Sequence, residues 1–201
     1  MKAKATVLFS GGKDSALTAI LLEPFFDLEL VTFSYGHDGT EMAAQEAAKA
    51  LGHLHRTIYF QEGVLDTSLQ MLLDTGYPKD ALNYVHKCAL ETLAQESEFL
   101  ADGTKREDRA PVMSNSDIRS LEDRFAVHYI RPLAGYGSKT INLLASRYLK
   151  FEMRPSEEHP ASDFEVGLRL ALKEQKGSDV INDIFPAHHQ HSIVIGRKSF
   201  E

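Results

Sequence analysis

The feature that most constrains the fold is the strand, glycine turn and helix that open the chain. Residues 5–9 are a short run rich in β-branched and aromatic side chains, which is typical of a strand buried on both faces. Gly11 and Gly12 follow this run, and residues 16–22 are apolar at helical density until Pro24 ends the helix. A strand that leads through a tight turn into a helix is the first part of a βαβ unit, so the start of the chain predicts a parallel sheet.

The same alternation continues to about residue 150. Thr40, Asp117 and Ser138 are predicted to cap later helices. Strands alternating with helices predict a three-layer α/β fold, Rossmann-like, with a five-stranded parallel sheet and right-handed crossovers. The predicted strands are 5–9, 28–33, 53–60, 99–101 and 126–130, and the predicted helices are 16–22, 40–51, 64–73, 81–94, 117–124 and 139–149.

The last fifty residues depart from this rhythm. Residues 154–160 have the composition of a linker, 164–172 have an amphipathic helical pattern, and 192–196 are typical of a terminal strand. We therefore expect a core at residues 1–150 and a C-terminal extension at 151–201. The extension either caps the site or forms a contact in a homodimer.

Composition excludes several classes of protein. The chain has 201 residues, a net charge of −7 and one cysteine, Cys88. A single cysteine excludes an internal disulfide and a cysteine-built zinc site, and no apolar run approaches the roughly 18 residues of a membrane helix. We expect a reduced, cytoplasmic protein without a membrane partner. The acidic balance weakens an RNA-gripping role, although the basic side chains at 105, 106 and 109 fit either an RNA backbone or a solvated loop.

The turn after the first strand has the composition of a phosphate-binding loop. Two glycines let the backbone approach a phosphate, Lys13 supplies a cation, and the helix start adds N–H donors. It is not a Walker A loop, because Asp14 stands where that motif needs serine or threonine, and Val7 stands where it needs glycine. An aspartate beside phosphates favours a bound Mg²⁺. The six residues are Ser10, Gly11, Gly12, Lys13, Asp14 and Ser15.

This hexapeptide resembles the PP-loop of the ATP pyrophosphatase family, and the resemblance covers about residues 5–150. Members similar to this chain include 7-cyano-7-deazaguanine synthase, tRNA thiolation enzymes and asparagine synthetases. The resemblance implies an adenine nucleotide alpha hydrolase-like fold, with ATP and Mg²⁺ as cofactors. It also implies cleavage of ATP to AMP and pyrophosphate, with transfer of AMP to an acceptor.

The resemblance also implies roles for particular residues. Lys13, Asp14, Asp102 and Lys139 are the expected catalytic residues, and Asp14 and Asp102 the expected metal ligands. Asp108 is a looser match to a second acidic position. The expected nucleotide contacts are Ser10, Gly11, Gly12, Lys13, Asp14, Ser15, Val31, Phe33, Gly103 and Thr104.

The sequence leaves the acceptor open between a tRNA base, activated as in thiolation, and a small carboxylate, activated as in amidation. With Cys88 alone and no glutaminase domain, a sulfur- or ammonia-donor protein is the expected partner. The alternative is a non-catalytic adenine-nucleotide sensor or the ATP-binding subunit of a complex. A third reading is an α/β domain whose glycine loop binds another anion.

Other reactive residues have weaker patterns. Cys88 lies in an apolar helical pattern that favours a buried side chain over a nucleophile. His188, His189 and His191 lie near Pro186 without a carboxylate at ligand spacing, which favours a plain loop over a metal site. His37 and Asp38 follow the second strand and fit a substrate contact as well as they fit a turn.

Overall fold

Strands and helices alternate along most of the chain in the computed structural model, which describes residues 1–36, 39, 41–155, 162–185 and 190–198. No helix in these ranges has the length and apolar character needed to cross a membrane. The strands are β1 (Ala3–Leu8), β2 (Phe26–Ser34), β3 (Leu54–Tyr59), β4 (Phe99–Ala101), β5 (His128–Ile130), β6 (Leu149–Pro155) and β7 (Gln190–Arg197). The helices are α1 (Lys13–Leu22), α2 (Glu41–Leu51), α3 (Val64–Thr75), α4 (Lys79–Ala94), α5 (Asn115–Phe125), α6 (Ser138–Tyr148), α7 (Phe164–Lys176) and α8 (Ser178–Ile184).

The first five strands form one parallel sheet in the order β3-β2-β1-β4-β5, which confirms the predicted fold class. In the register of the central strands, Ala5 pairs with Leu28 and Val7 with Ala101. The chain moves from β1 to β2 on one side and to β4 on the other, so a crevice opens beyond the carboxyl ends of β1 and β4. The glycine loop and Asp102 both lie at this edge.

Helices cover both faces of the sheet. Residues of α1, α2 and α6 pack with β1 and β2 in one apolar cluster, which includes Leu17, Ala47 and Ile141. Residues of α4 and α5 pack with β2 and β4 in a second cluster, which includes Leu90 and Leu121. A third cluster joins α3, α4, α7 and α8 outside the second. The result is the three-layer arrangement that the alternation of elements predicts.

The C-terminal residues pack back onto this core. Strands β6 and β7 form an antiparallel pair, and β7 contacts α2 and α1. Helix α7 packs against α3 and α4. Val194 in β7 is 2% exposed and belongs to the same apolar cluster as α1. The extension therefore packs beside α1, the helix that follows the glycine loop.

Three local predictions are wrong. The N-cap of α5 is Ser114, whose Oγ accepts from the Asp117 N–H at 3.1 Å; Asp117 lies inside the helix. Ser138 is the first residue of α6, and its N–H donates to Glu107 Oε2 at 3.0 Å, so a distant carboxylate supplies the cap. Arg154 and Pro155 belong to β6 and not to a linker, because they pair with His191 and Gln190. Thr40, the remaining predicted cap, lies outside the described residues.

Candidate functional site

The turn between β1 and α1 brings the six motif residues together. Gly11 has a φ of +76°, and a Cβ there would lie 3.0 Å from Ala44 Cα, so glycine lets the turn pass this close to α2. Ser15 Oγ donates to the Gly12 carbonyl at 3.1 Å, and the Ser10 and Ser15 hydroxyl oxygens lie 3.3 Å apart. The two hydroxyls and the turn carbonyl thus hold one compact loop.

The N-terminus of α1 has no side-chain cap of its own and is contacted by strand β7. Its N-cap is Gly12, which offers no side-chain hydrogen bond to the first helical N–H groups. One of these groups, the Lys13 N–H, donates to Ser192 Oγ at 3.0 Å, and the Val194 N–H donates to the Gly11 carbonyl at 3.1 Å. Strand β7 therefore holds the glycine loop through these two hydrogen bonds. The sequence pattern missed Ser192, because its contact spans 179 positions.

Gly103 packs directly against the backbone of the glycine loop where the loop enters α1. A Cβ at Gly103 would lie 2.7 Å from the Ser15 nitrogen and 2.9 Å from the Asp14 carbonyl carbon. The backbone after β4 therefore approaches the first turn of α1 more closely than any side chain allows. This contact places the adjacent Asp102 and Thr104 beside the glycine loop.

A cavity of about 260 Å³ opens between the glycine loop and the segment that follows β4. Many of the residues predicted from the sequence line it: Ser10, Asp14, Ser15, Phe33, Asp102, Gly103 and Thr104. Further residues come from the helical layer and were not predicted, among them Leu82, His86, Ser162, Asp163, Phe164 and Glu165.

Asp102 lies at the centre of a buried polar network. Its side chain is 3% exposed. Oδ1 accepts from the Thr104 N–H at 2.9 Å and from Thr104 Oγ1 at 2.7 Å, and Oδ2 accepts from the Tyr129 hydroxyl. His86 Nε2 lies 2.9 Å from Oδ2, although the ring N–H is not aligned for a hydrogen bond. Three hydrogen bonds, two from Thr104 and one from Tyr129, therefore engage both oxygens of the carboxylate.

The network shifts the pKa values of its members. Burial raises the pKa of the Asp102 carboxyl, but His86, Tyr129 and Thr104 outweigh burial and hold it below its ordinary value. Burial and the Asp102 charge raise the pKa of Tyr129 well above its usual range, which keeps the phenol protonated as a donor. Asp102 is thus a buried anion whose oxygens are engaged by donors, so this geometry does not favour the predicted metal role.

Two lysines form ion pairs with two aspartates that line the cavity. Lys13 Nζ lies 2.7 Å from Asp14 Oδ1, and Lys105 Nζ lies 3.0 Å from Asp14 Oδ2. Lys105 also pairs with Asp108. Burial acts to lower the pKa of Lys105, but Asp14 and Asp108 outweigh burial and raise it. Lys105 was not predicted as part of the nucleotide site, and Asp108 was assigned to it only loosely, because neither residue lies in the glycine motif.

Five predicted residues do not line the cavity. Three of them, Gly11, Gly12 and Lys13, belong to the glycine loop itself. Val31 is fully buried in the sheet, and its carbonyl accepts from the Phe9 N–H at 2.8 Å. Lys139 is exposed near the start of α6 and does not line the cavity. The carboxyl end of β2 reaches the site through Phe33 instead.

The other reactive residues lie elsewhere. Cys88 is on α4, does not line the cavity, and has a thiol pKa raised by burial, which disfavours a thiolate. His191 Nδ1 lies 3.6 Å from Asp163 Oδ2. His37, Asp38, His188 and His189 lie outside the described residues.

Metal ligands are sparse around the cavity. Within the described ranges, no three or more histidine, cysteine, aspartate or glutamate side chains are grouped so that they could hold a metal ion. Asp14 and Asp108 both line the cavity and share Lys105. Mg²⁺ is commonly held by one or two carboxylates together with the phosphates of a substrate, so this pair has the donor chemistry for Mg²⁺ on a nucleotide.

A shallow groove adjoins the cavity and shares Asp108 with it. Tyr77, Lys79, Asn83 and Arg109 line this groove. Tyr77 is 52% exposed. The two cations in the groove are balanced by the carboxylates of Asp108 and Asp117, which also line it.

Comparisons with known proteins give one family and a close structural relative. Residues 1–196 match the family of unknown function DUF7411. The uncharacterized protein MJ0690 of Methanocaldococcus jannaschii is 41% identical over 189 residues, 94% of each chain. The crystal structure of a predicted subunit of tRNA methyltransferase from M. jannaschii has a TM-score of 0.90 and 39% identity over 98% of each chain. The U34-tRNA thiolase NcsA from Methanococcus maripaludis is more distant, with a TM-score of 0.45 and 18% identity over 90% of this chain and 69% of that one.

Proposed function

The chain belongs to DUF7411, a family of unknown function, and we propose that it is an enzyme that cleaves ATP to AMP and pyrophosphate and transfers AMP to an acceptor. The observation that carries this proposal is the glycine loop at the N-terminus of α1, whose Ser10, Asp14 and Ser15 line a cavity and whose Asp14 pairs with Lys13 and Lys105. Backbone N–H groups at a helix start and two ammonium groups are a phosphate-binding arrangement. The PP-loop resemblance of residues 10–15 supplies the reaction.

Different residues around the cavity bind different parts of the nucleotide. The phosphates bind the loop and the two lysines, which release Asp14 from its ion pairs. The adenine packs among the apolar lining residues near Phe9 and Phe33. Asp14 and Asp108 hold Mg²⁺, which supplies charge neutralisation on the phosphates when bound.

Lys13 and Lys105 act where negative charge develops. As the acceptor oxygen bonds to the α-phosphorus, the bond from that phosphorus to the bridging oxygen breaks, and pyrophosphate leaves with the electron pair. Ammonium groups and N–H donors fixed around the leaving group stabilise this charge without reorganising.

The acceptor proposed from the sequence is a tRNA base or a small carboxylate, with the second nucleophile delivered by a donor protein. The relative named as a predicted subunit of tRNA methyltransferase supports a tRNA-related role within a complex. That same name favours a second candidate function, an ATP-binding subunit whose chemistry takes place on a partner.

The test is incubation with α-labelled ATP and Mg²⁺, with bulk tRNA and with a small-molecule extract in separate reactions. We expect labelled AMP with one of the two pools. Lys13→Ala should lower its rate about 100-fold, as when one transition-state donor is removed, whereas the exposed Lys49→Ala on α2 should not change it. Lys139→Ala tests its predicted role in the same assay. ATP binding without AMP from either pool would favour the subunit instead.

A further inference from the structure

The parallel sheet ends on one side in a strand that is long enough to accept another strand. Its two edge strands are β3, with six residues, and β5, with three. β3 pairs with β2 through a continuous register from Leu54 to Tyr59. Within the described residues, no strand pairs with the other side of β3.

Three residues of β3 direct their backbone polar groups away from the sheet. The Phe60 N–H donates to the Ser34 carbonyl at 3.0 Å, so the backbone of residue 60 bonds toward β2. In an extended strand this direction alternates from one residue to the next, so the N–H and C=O groups of His55, Thr57 and Tyr59 point outward. None of the backbone hydrogen bonds in the described part of the chain uses these outward groups.

The edge lacks the features that keep exposed strands apart in natural sheets, which are lysine, proline, a bulge or a short length. β3 contains neither lysine nor proline, and its register with β2 has no bulge. Its one arginine, Arg56, pairs with Glu29 at 3.2 Å and with Glu96, so its charge is held by carboxylates of the same chain. Leu54 and Tyr59, at the two ends of the strand, are 77% and 59% exposed.

The edge is complementary to a second copy of itself in one register. A two-fold axis perpendicular to the sheet makes the pairing antiparallel, and opposed side chains then lie on the same face. An axis at Thr57 pairs all three outward residues, Thr57 with Thr57 and His55 with Tyr59. Each opposed pair exchanges two hydrogen bonds, which gives about six. An axis at Arg56 would leave Tyr59 opposite no residue of the strand and would oppose two guanidinium groups, which repel each other.

We propose that β3 is the interface of a homodimer, in which two copies join edge to edge about an axis at Thr57 and form one sheet of ten strands. The exposed Leu54 then lies opposite Phe60 of the partner subunit, and the exposed Tyr59 lies opposite His55 of the partner subunit. Cross-strand pairs of aromatic and apolar side chains stabilise a sheet.

This interface goes beyond the proposed function, because no residue of β3 lines the cavity. The two-fold axis reverses the strand direction in the partner subunit, so the two cavities open at opposite edges of the joined sheet. Each copy keeps a complete cavity of its own.

The test is the mass of the full chain in solution, measured by analytical ultracentrifugation over a range of concentrations. We expect two chains per particle at high micromolar concentration and single chains on dilution. Thr57→Pro should give single chains at every concentration, because proline removes an outward N–H and no hydrogen bond to β2.

Two charge variants locate the axis and decide the question if Thr57→Pro does not fold. Thr57→Lys and Thr57→Glu each place like charges opposite one another, so each alone should give single chains. Mixed in equal amounts, they place a lysine opposite a glutamate, and dimers should return. The matched control Thr140→Lys, at an exposed threonine on α6, should dimerise like the wild type.

ATP titration shows that single chains are still folded, since every Thr57 variant should bind ATP like the wild type. Single chains of the wild type at high micromolar concentration overturn the proposal. Dimers that persist in Thr57→Pro or in both charge variants also overturn it, as does a mixture of the charge variants that stays monomeric. The assay of AMP formation tests the proposed function separately, so either can fail alone.

Discussion

Gly103 is the residue at which the site depends most directly on the absence of a side chain. We predict that Gly103→Ala destabilises the fold by about 1–3 kcal/mol, as overpacking does, and weakens ATP binding. The reason is that the new Cβ would lie 2.7 Å from the Ser15 nitrogen, which is backbone and not the end of a flexible side chain. Urea unfolding and ATP titration measure the two effects.

The matched control for this substitution is Gly135→Ala. A Cβ at Gly135 meets no atom within 4 Å, and the residue is exposed. Its unfolding midpoint and ATP affinity should stay close to those of the wild type. Equal behaviour of the two variants would show that the contact between Gly103 and α1 does not shape the site.

Asp102 should contribute to stability in a pH-dependent way. The pKa of Asp102 in the folded protein lies below the unfolded value of about 3.9. Its contribution to the free energy of unfolding is therefore complete above the unfolded pKa and is lost as the pH falls through the folded pKa. We predict that Asp102→Asn lowers the unfolding free energy by on the order of 3 kcal/mol at pH 5–7, and that this difference shrinks below about pH 4. Urea unfolding across pH 3–7 measures it, with the exposed Asp123→Asn as control. A difference that stays constant down to pH 3 would contradict the account.

Local sequence was sufficient to place Ser10, Asp14, Ser15, Gly103 and Thr104 at the cavity, because the two segments that hold them follow the ends of β1 and β4. It was not sufficient for His86. In the sequence His86 is one of several polar positions on its helix, such as Asn83 and Lys87, and its contact with Asp102 arises only from the packing of α4 on the sheet. Val31 was assigned from its position near a strand end, but the sheet already uses its carbonyl.

At the scale of elements, β7 is the support that the loop needs. We predict that Ser192→Ala lowers the unfolding free energy by about 1 kcal/mol, because the Lys13 N–H loses its acceptor at 3.0 Å. Ser120→Ala, an exposed position on α5, is the control. Chemical unfolding measures both, and identical midpoints would show that β7 does not hold the start of α1.

Strands β1, β2 and β4 were predictable because each is a short run with many apolar residues, and β3 and β5 because they continue the alternation of strands and helices. Strand β6 was not, because its side chains are mostly exposed and its end carries Arg154 and Pro155, which look like linker composition. Its pairing with β7 is set by the partner strand, about 40 positions away in the chain. Helix α8 was missed for a related reason, since seven residues are too few for a clear period.

At the scale of the whole molecule, the site is assembled from distant parts of the chain. The loop after β1, the segment after β4, helices α4 and α7 and strand β7 all meet at one edge of the sheet. The division into a core at 1–150 and an extension at 151–201 stays a prediction. The packing of β7 on the loop indicates that loss of the extension should also affect nucleotide binding.

The central claim is that this edge of the sheet binds ATP through the glycine loop. The most direct test is a crystal structure of the chain with α,β-methylene-ATP and Mg²⁺, an analogue that cannot be cleaved between the α and β phosphates. We predict that the phosphates contact the glycine loop, residues 10–15, and the ammonium groups of Lys13 and Lys105, with the adenine near Phe33. An analogue bound in the groove at Tyr77 and Arg109, with the glycine loop making no phosphate contact, would contradict the account.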